Sequence, residues 1–378
     1  MSTRYYTLPL EETQWRVPSG GQIVFNWEYE EGRDRLLRLY EKGKNKQWNA
    51  TDRIDWSVDV DVNHPAVRVD ETMPIYGTDV WNRMSEEERA ELRVHSTAWT
   101  NSQFLHGEQG ALICAAKIVG TVPDVDSKFY AATQVIDEAR HVEVFSRYLR
   151  EKLGVAYPIN PDLRELLDQV IQDARWDMTY LGMQVMIEGL ALAAFGLIRD
   201  STKEPLARVI TTYVMQDEAR HVAFGRLALQ NYYAQITERE RQEREEFVID
   251  ASYLMRNRFR GQEVWQRLGL PQKEMEEITA NSPLLQEFRK LLFSRIVPTV
   301  KALGLWGPRV QRAYEEMGVI QFQDLDPDVL SAADEQAARR LDEGGKLSEE
   351  GEAAARLAGV DEKRALEIEQ TIAEGEGE

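Results

Sequence analysis

The segment Asp137-Glu-Ala-Arg-His141 recurs 80 residues later as Asp217-Glu-Ala-Arg-His221, and no other feature of the 378-residue sequence restricts its fold as tightly. The same displacement carries Glu108 to Glu188, Ala111 to Ala191, Leu112 to Leu192 and Ile118 to Ile198. Two copies of one unit follow, each with a lone glutamate in an apolar stretch and a Glu-x-x-His 30 residues on. Both halves of the unit have helical periodicity, so the repeat predicts two helical hairpins that pair into a pseudo-twofold four-helix bundle.

Punctuation along the chain agrees. Ser85-Glu-Glu-Glu88 is a capping box, and a 3.6-residue pattern runs from it to about Val119, stopped by Gly120 and Pro123. A second long helix fits Asp124 to Leu153, ended by Gly154 and Pro158; a third opens at Asn160-Pro161 and lasts to about Ile198. A fourth covers Glu204 to about Gln235, and Thr237-Glu-Arg-Glu240 caps a fifth that reaches about Leu268. Two or three shorter helices follow, up to Val319. Before residue 85 the chain is Trp-rich and mixed, with a short strand expected at Ile23–Trp27 and a helix from about Glu28 to Gln47. The expected fold class is all-α, a four-helix bundle with additional helices and an N-terminal arm. Its expected divisions are an arm over 1–84, the bundle over 85–265, C-terminal helices over 266–320 and an acidic, flexible tail over 321–378.

On a helix, residues three apart share a face, so Glu138 stands with His141 and Glu218 with His221. One Glu from each of two helices plus Glu-x-x-His from each of two others is the ligand count of bundles that hold two metal ions. Glu108, Glu188, Glu138, His141, Glu218 and His221 supply it. Four carboxylates buried among Phe104, Leu112, Ile187, Leu192 and Phe195 would cost several kcal/mol per unpaired ion, and two divalent cations cancel their charge. Imidazole with carboxylate suits iron, manganese or zinc; iron comes first by analogy alone, as open positions on an oxygen-rich ligand set let dioxygen bridge two redox-active ions, and geometry admits manganese equally. A ligating imidazole commonly donates its other N–H to a carboxylate. Asp137 is therefore expected to cross to His221 and Asp217 to His141, with Arg140 and Arg220 holding the aspartates. His106 points away from Glu108, and Cys114 lies on an apolar face as inert core.

Composition narrows the classes. One cysteine excludes a disulfide framework and any Cys-based zinc or iron–sulfur site, and fits a reducing, cytoplasmic setting. The N-terminus has acids and no apolar core of a secretory signal. A formal charge of −19 disfavours nucleic acid and anionic membrane, and the stretch from Asp326 to Glu378 alone carries sixteen acids against six bases. The apolar run Leu181–Ile198 contains Gln184 and Glu188, which marks it as a buried bundle helix rather than a membrane span.

Over roughly residues 85 to 265 the motif pair resembles the ferritin-like diiron-carboxylate superfamily. The resemblance is to the branch with Asp-Glu-x-Arg-His in both halves, which includes bacterial multicomponent monooxygenases, acyl-carrier-protein desaturases and oxidases similar to the ribonucleotide reductase small subunit. It implies a site that, reduced, takes dioxygen as co-substrate and oxidises a C–H or N–H bond. Departures narrow it further. Phe145 stands where the reductase keeps its radical tyrosine, and Met183 with Gly110 where the ligand-binding oxidases form a Tyr–Val cross-link. Leu192 and Ala191 stand where monooxygenases and desaturases have a threonine, leaving Gln184 as the substitute for proton delivery. Val214 stands where aminobenzoate N-oxygenases add a third histidine. The expected activity is oxidation, first of all hydroxylation, of a small, partly apolar organic substrate in a pocket near Phe104, Phe145, Met183, Gln184 and Leu192. Two irons, or manganese with iron, are the expected cofactor. An external electron donor (a reductase or ferredoxin) and pairing as a homodimer are expected as well. The alternative is ferroxidase, iron-handling or peroxide-removing activity without an organic substrate.

Overall fold

The computed structural model describes residues 13–342 apart from 28, 30–33 and 65–66. Among the described residues every regular element is helical. In chain order the helices are α1 (Asp34–Asn45), α2 (Ala50–Arg53), α3 (Asp79–Arg83), α4 (Glu86–Thr121) and α5 (Val125–Arg147). Next come α6 (Pro161–Gln172), α7 (Trp176–Tyr180), α8 (Glu188–Ser201), α9 (Pro205–Tyr233) and α10 (Glu238–Asn257). The last are α11 (Gln262–Arg267), α12 (Gln272–Asn281), α13 (Pro283–Leu291), α14 (Ile296–Ala302), α15 (Pro308–Glu316) and α16 (Pro327–Asp342).

The bundle is α4 and α5, one tight hairpin, against α7–α8 and α9, the other. Both capping boxes form in full: Ser85 and Glu88 exchange bonds at the start of α4, Thr237 and Glu240 at the start of α10. Asp124 caps α5 by accepting from Ser127 N at 2.8 Å. Gly154, at φ 68°, takes the left-handed turn that stops the helix begun at Val125, which runs on from Arg147 as a wide π turn over Tyr148–Leu153. A second π segment, Leu181–Ile187, joins α7 to α8 and leads directly into Glu188. The resulting span Trp176–Ser201 is apolar and long enough to cross a membrane by length and composition, and it is buried in the bundle. Where it passes α9, Gly225 lets the helices touch: a Cβ there would lie 2.5 Å from Cβ of Gln184.

Several expectations are corrected. The third helix is interrupted at residues 173–175, where Lys117 of α4 donates to the carbonyls of Ile171 (2.8 Å) and Asp173, replacing the helical donors that end α6. The fifth helix ends at Asn257 instead of near Leu268, because Phe259 leaves helical geometry and Gly261 turns left-handed. No strand forms at Ile23–Trp27; this stretch is irregular, with Ile23, Phe25 and Trp27 exposed and Val24 N donating to Gly120 O. The tail starts later than residue 321: Phe322 is buried, α16 packs along α9, and Asp328 pairs with Arg226. Residues 343–378, most of the expected acidic tail, lie outside the described residues, as do residues 1–12.

Candidate metal centre

The six side chains singled out by the repeat come from four helices, Glu108 from α4, Glu138 and His141 from α5, Glu188 from α8, Glu218 and His221 from α9. All are buried, none more than 5% exposed. Their donor atoms fall into two groups, Glu108/Glu138/His141/Glu218 and Glu138/Glu188/His221, with the atoms of each group within 4.8 Å of one another. Glu138 belongs to both. His141 Nδ1 lies 3.0 Å from Glu218 Oε1, 3.2 Å from Glu108 Oε2 and 3.4 Å from Glu138 Oε2. His221 Nδ1 lies 3.0 Å from Glu138 Oε1 and 3.6 Å from Glu218 Oε1, yet makes no hydrogen bond.

Both oxygens of Glu218 and one each of Glu138 and Glu188 are likewise buried without a hydrogen-bond donor. Orphaned acceptors aimed at a common centre cost stability unless something positive sits among them. Burial, reinforced by the Glu218 charge, pushes the Glu108 carboxyl well above the usual carboxylate range; burial and then the Glu138 charge do the same to Glu188. His141 is raised despite burial, chiefly by hydrogen bonds to Asp217 and Glu108, and His221 by the charges of Glu138 and Glu218. Without metal the centre therefore stores protons, and a donor set of four carboxylates and two imidazoles fits two divalent ions that replace them.

A sign follows for the metal-free protein. Its raised carboxyls stabilise it fully below their ordinary 4.5 and its raised imidazoles below 6.5, and that contribution is lost as pH rises. Glu138 and Asp217, held low against burial by His221 and Arg220 respectively, act the other way, but only in acid. Chelator-treated protein should therefore melt at falling temperature from about pH 5 to 8, and the loaded protein should show a flatter profile. A melting series across that range checks this; a rise for the metal-free form would contradict it.

Around the six lies the expected crossed support. Asp217 Oδ2 is 3.2 Å from His141 Nε2, and Asp137 Oδ2 is 3.2 Å from His221 Nε2. Each arginine binds its own aspartate and the other: Arg140 donates to Asp137 and, at 2.9 Å, to Asp217, while Arg220 donates to Asp217 and, at 3.4 Å, to Asp137. The arm also reaches this network, unforeseen in the sequence. Gln47 donates to Asp137 at 2.7 Å and accepts from Arg140; Trp48 donates to Asp217 at 2.9 Å and lies under Arg140.

Gln134, one turn before Glu138, was also missed. Its amide nitrogen donates to Glu138 Oε1 at 3.0 Å and to Glu188 Oε1 at 2.8 Å, tying the two hairpins together at the centre. Its i,i+4 spacing to Glu138 was the available signal. Replacing Gln134 by Leu should keep the fold and lower iron(II) affinity by about 10- to 100-fold, as loss of such outer partners commonly does; competition with a chromophoric chelator measures it.

Of the five side chains expected at a pocket, Phe104 alone lines a cavity that reaches the candidate ligands. A narrow cavity reaches Glu108, Glu188 and Glu218, and its remaining wall is Gln103, Phe104, Gly107, Ala111, Ile187, Ala191 and Arg258. Phe145 is buried behind Phe104 and stacked on Phe195, whereas Met183, Gln184 and Leu192 are buried outside this wall. For Met183 and Gln184 the π segment accounts for the difference: its wider turn shifts residues 181–187 relative to a regular helix leading into Glu188, so faces counted at 3.6 residues per turn are displaced. Gln184 instead donates to Gln134 at 3.4 Å. His106 is held by Tyr157 O at 2.9 Å, and Cys114 is buried, its thiol pushed up to about 12 by burial.

An all-helical bundle with this buried carboxylate and imidazole centre defines a ferritin-like diiron-carboxylate protein. A family model described as P-aminobenzoate N-oxygenase AurF matches residues 30–304, and the chain belongs to that family. It is accordingly a dioxygen-dependent diiron oxidoreductase. No curated protein matches the sequence. Similar solved structures include two point mutants of an R2-like ligand-binding oxidase, each 18% identical and covering 75% of this chain and 96% of its own. One, a glycine-to-leucine mutant, carries an aerobically reconstituted Fe/Fe cofactor (TM-score 0.49); the other, a tyrosine-to-phenylalanine mutant, carries a Mn/Fe cofactor (TM-score 0.48). A protein from Synechococcus with aldehyde deformylating oxidase activity is 16% identical, with 68% of this chain and 100% of its own covered and a TM-score of 0.43. Val214, where the aminobenzoate type adds a histidine, is a buried apolar residue of α9.

Proposed function

We propose that Glu108, Glu138, His141, Glu188, Glu218 and His221 hold the two metal ions, and that the protein oxygenates a small, partly apolar organic molecule admitted beside Glu108 and Glu188. The carrying observation is the convergence of the six donor groups, with Glu138 common to both clusters. When bound, the reduced metal pair supplies the electrons and open coordination positions for dioxygen activation. The chain supplies the rest. Gln134 holds Glu138 and Glu188 in register, the Asp137–Arg220 and Asp217–Arg140 contacts fix both imidazoles, and Phe104, Ile187 and Ala191 keep the cavity apolar.

Family membership supports nitrogen oxidation of an amine ahead of the hydroxylation ranked first from sequence, while Val214 makes the ligand set one imidazole shorter than the aminobenzoate type. Electrons come from an external donor in this reading, and the acidic balance of the chain suits a donor with a basic docking patch. A cytoplasmic setting and a homodimeric state belong to the same proposal. Dioxygen uptake by iron-loaded, reduced protein should accelerate when a small aromatic amine is added, with one oxygen atom appearing in the product. Uptake indifferent to every organic addition would favour the iron-handling alternative.

A further inference from the structure

Beyond the break that ends α10, a second cavity of about 610 Å³ opens between the end of that helix and helices α11, α12 and α13. Its volume is that of a small-molecule site. Part of its wall is apolar, made by the buried side chains of Trp265, Phe293, Met317 and Val319. The rest is dominated by three guanidiniums: Arg256 from α10, Arg260 from the turn that follows it, and Arg289 from α13.

These arginines have no acid of their own. Arg256 donates to Asn257 Oδ1 at 3.3 and 3.4 Å, and Arg289 donates to Phe259 O at 3.5 Å. The Arg289 Nε is buried without a hydrogen-bond partner. Among the described residues none of the three forms an ion pair; Glu276 is the one acid in the wall, and Lys290, also in it, pairs with Glu287 at 3.5 Å. Burial, and then the charges of Arg260 and Arg256, lower the Arg289 pKa, so the three cations act on one another. In a chain with 65 acids against 46 bases, three arginines gathered on one concave surface without carboxylates repel one another unless a counter-charge enters. Set against Glu276, they leave an excess of two positive charges. A phosphate monoester carries about −1.5 to −2 at neutral pH and offers three acceptor oxygens, and guanidinium forks match those oxygens in pairs of hydrogen bonds.

We propose that this cavity binds a phosphate monoester, its phosphate seated among Arg256, Arg260 and Arg289 and its organic body against Trp265 and Phe293. The site is distinct from the metal centre, and the assignment stands independently of the oxygenase reading.

The test titrates iron-loaded and metal-free full-length protein calorimetrically with three probes: phenyl phosphate, phenyl sulfate, which puts the same ring on a singly charged group, and inorganic phosphate. Near neutral pH, phenyl phosphate should bind both forms equally, and at least about tenfold more tightly than either other probe, the size expected of an added charge-assisted contact. The preference over phenyl sulfate should shrink at about pH 5, where the phosphate has taken up its second proton. Arg289→Gln and, at an exposed residue, Arg260→Gln should each weaken phenyl phosphate binding at least about tenfold. Arg309→Gln, outside this wall and paired with Glu246, should leave it unchanged. Circular dichroism reports whether each variant is folded. Absence of phenyl phosphate binding, equal affinity for phenyl phosphate and either other probe, or undiminished affinity in folded Arg260→Gln and Arg289→Gln proteins overturns the inference. Binding confined to the iron-loaded form would place the anion on the metal ions and overturn it as well.

Discussion

Adding iron(II) to metal-free protein should raise its melting temperature on the order of 10 °C when both sites are saturated at about a thousandfold excess over Kd, and Glu138→Ala should abolish the rise. Binding to the folded state alone contributes about 4 kcal/mol per site at that excess, shared over the unfolding entropy of a chain this long. Glu138 is the variant of choice because its carboxylate belongs to both donor groups, so its loss removes a ligand from each ion at once. The metal-free variant should itself be less stable than the metal-free parent, since Glu138 is held ionised against burial by His221 and His141 and accepts from Gln134, so the increment on adding iron(II) is the readout. His64→Ala, at an exposed residue of the arm, should leave the increment unchanged. Differential scanning calorimetry under anaerobic conditions with a chelator control measures all three. A full increment in Glu138→Ala would show that the stabilising iron sits elsewhere.

Asp217→Ala should destabilise the protein by about 3–5 kcal/mol even without metal. Asp217 accepts from Arg140, Arg220 and Trp48 and faces His141 Nε2, all within a buried layer between α5, α9 and the arm. Its removal leaves two buried guanidiniums sharing Asp137, which is the situation that makes breaking a buried pair expensive. Trp48→Phe removes only one neutral donor from the same carboxylate and should cost about 1 kcal/mol. Urea denaturation of the metal-free forms separates the two; equal costs would mean that the aspartate charge contributes little to the layer.

The centre was legible because its residues are spaced by helix geometry and written twice. A carboxylate and an imidazole three residues apart, repeated at a fixed 80-residue displacement, leave few arrangements open. Glu108 and Glu188 were recognisable by their apolar surroundings, and the crossed aspartates by the need of a ligating imidazole for an acceptor it cannot find on its own helix turn. Gln134 was readable in principle from its i,i+4 spacing. Gln47, Trp48 and Arg258 were not, because each arrives from a distant part of the chain through contacts that carry no periodic signature. Met183 and Gln184 were misplaced for a different reason. Periodicity assumes 3.6 residues per turn, and the π segment before Glu188 breaks that count where the cavity is built. The break in the third helix is similarly non-local, since the groups that stabilise it belong to Lys117 on α4.

The central claim is that six side chains from two duplicated hairpins share one dinuclear centre. Iron K-edge X-ray absorption on anaerobically loaded protein, with the metal content of the same sample counted, tests it most directly. The account expects two irons per chain, a first shell of oxygen and nitrogen donors without sulfur, and an iron–iron scattering path at about 3.5–4 Å. One iron or none per chain, or two irons without a metal–metal path, would contradict it.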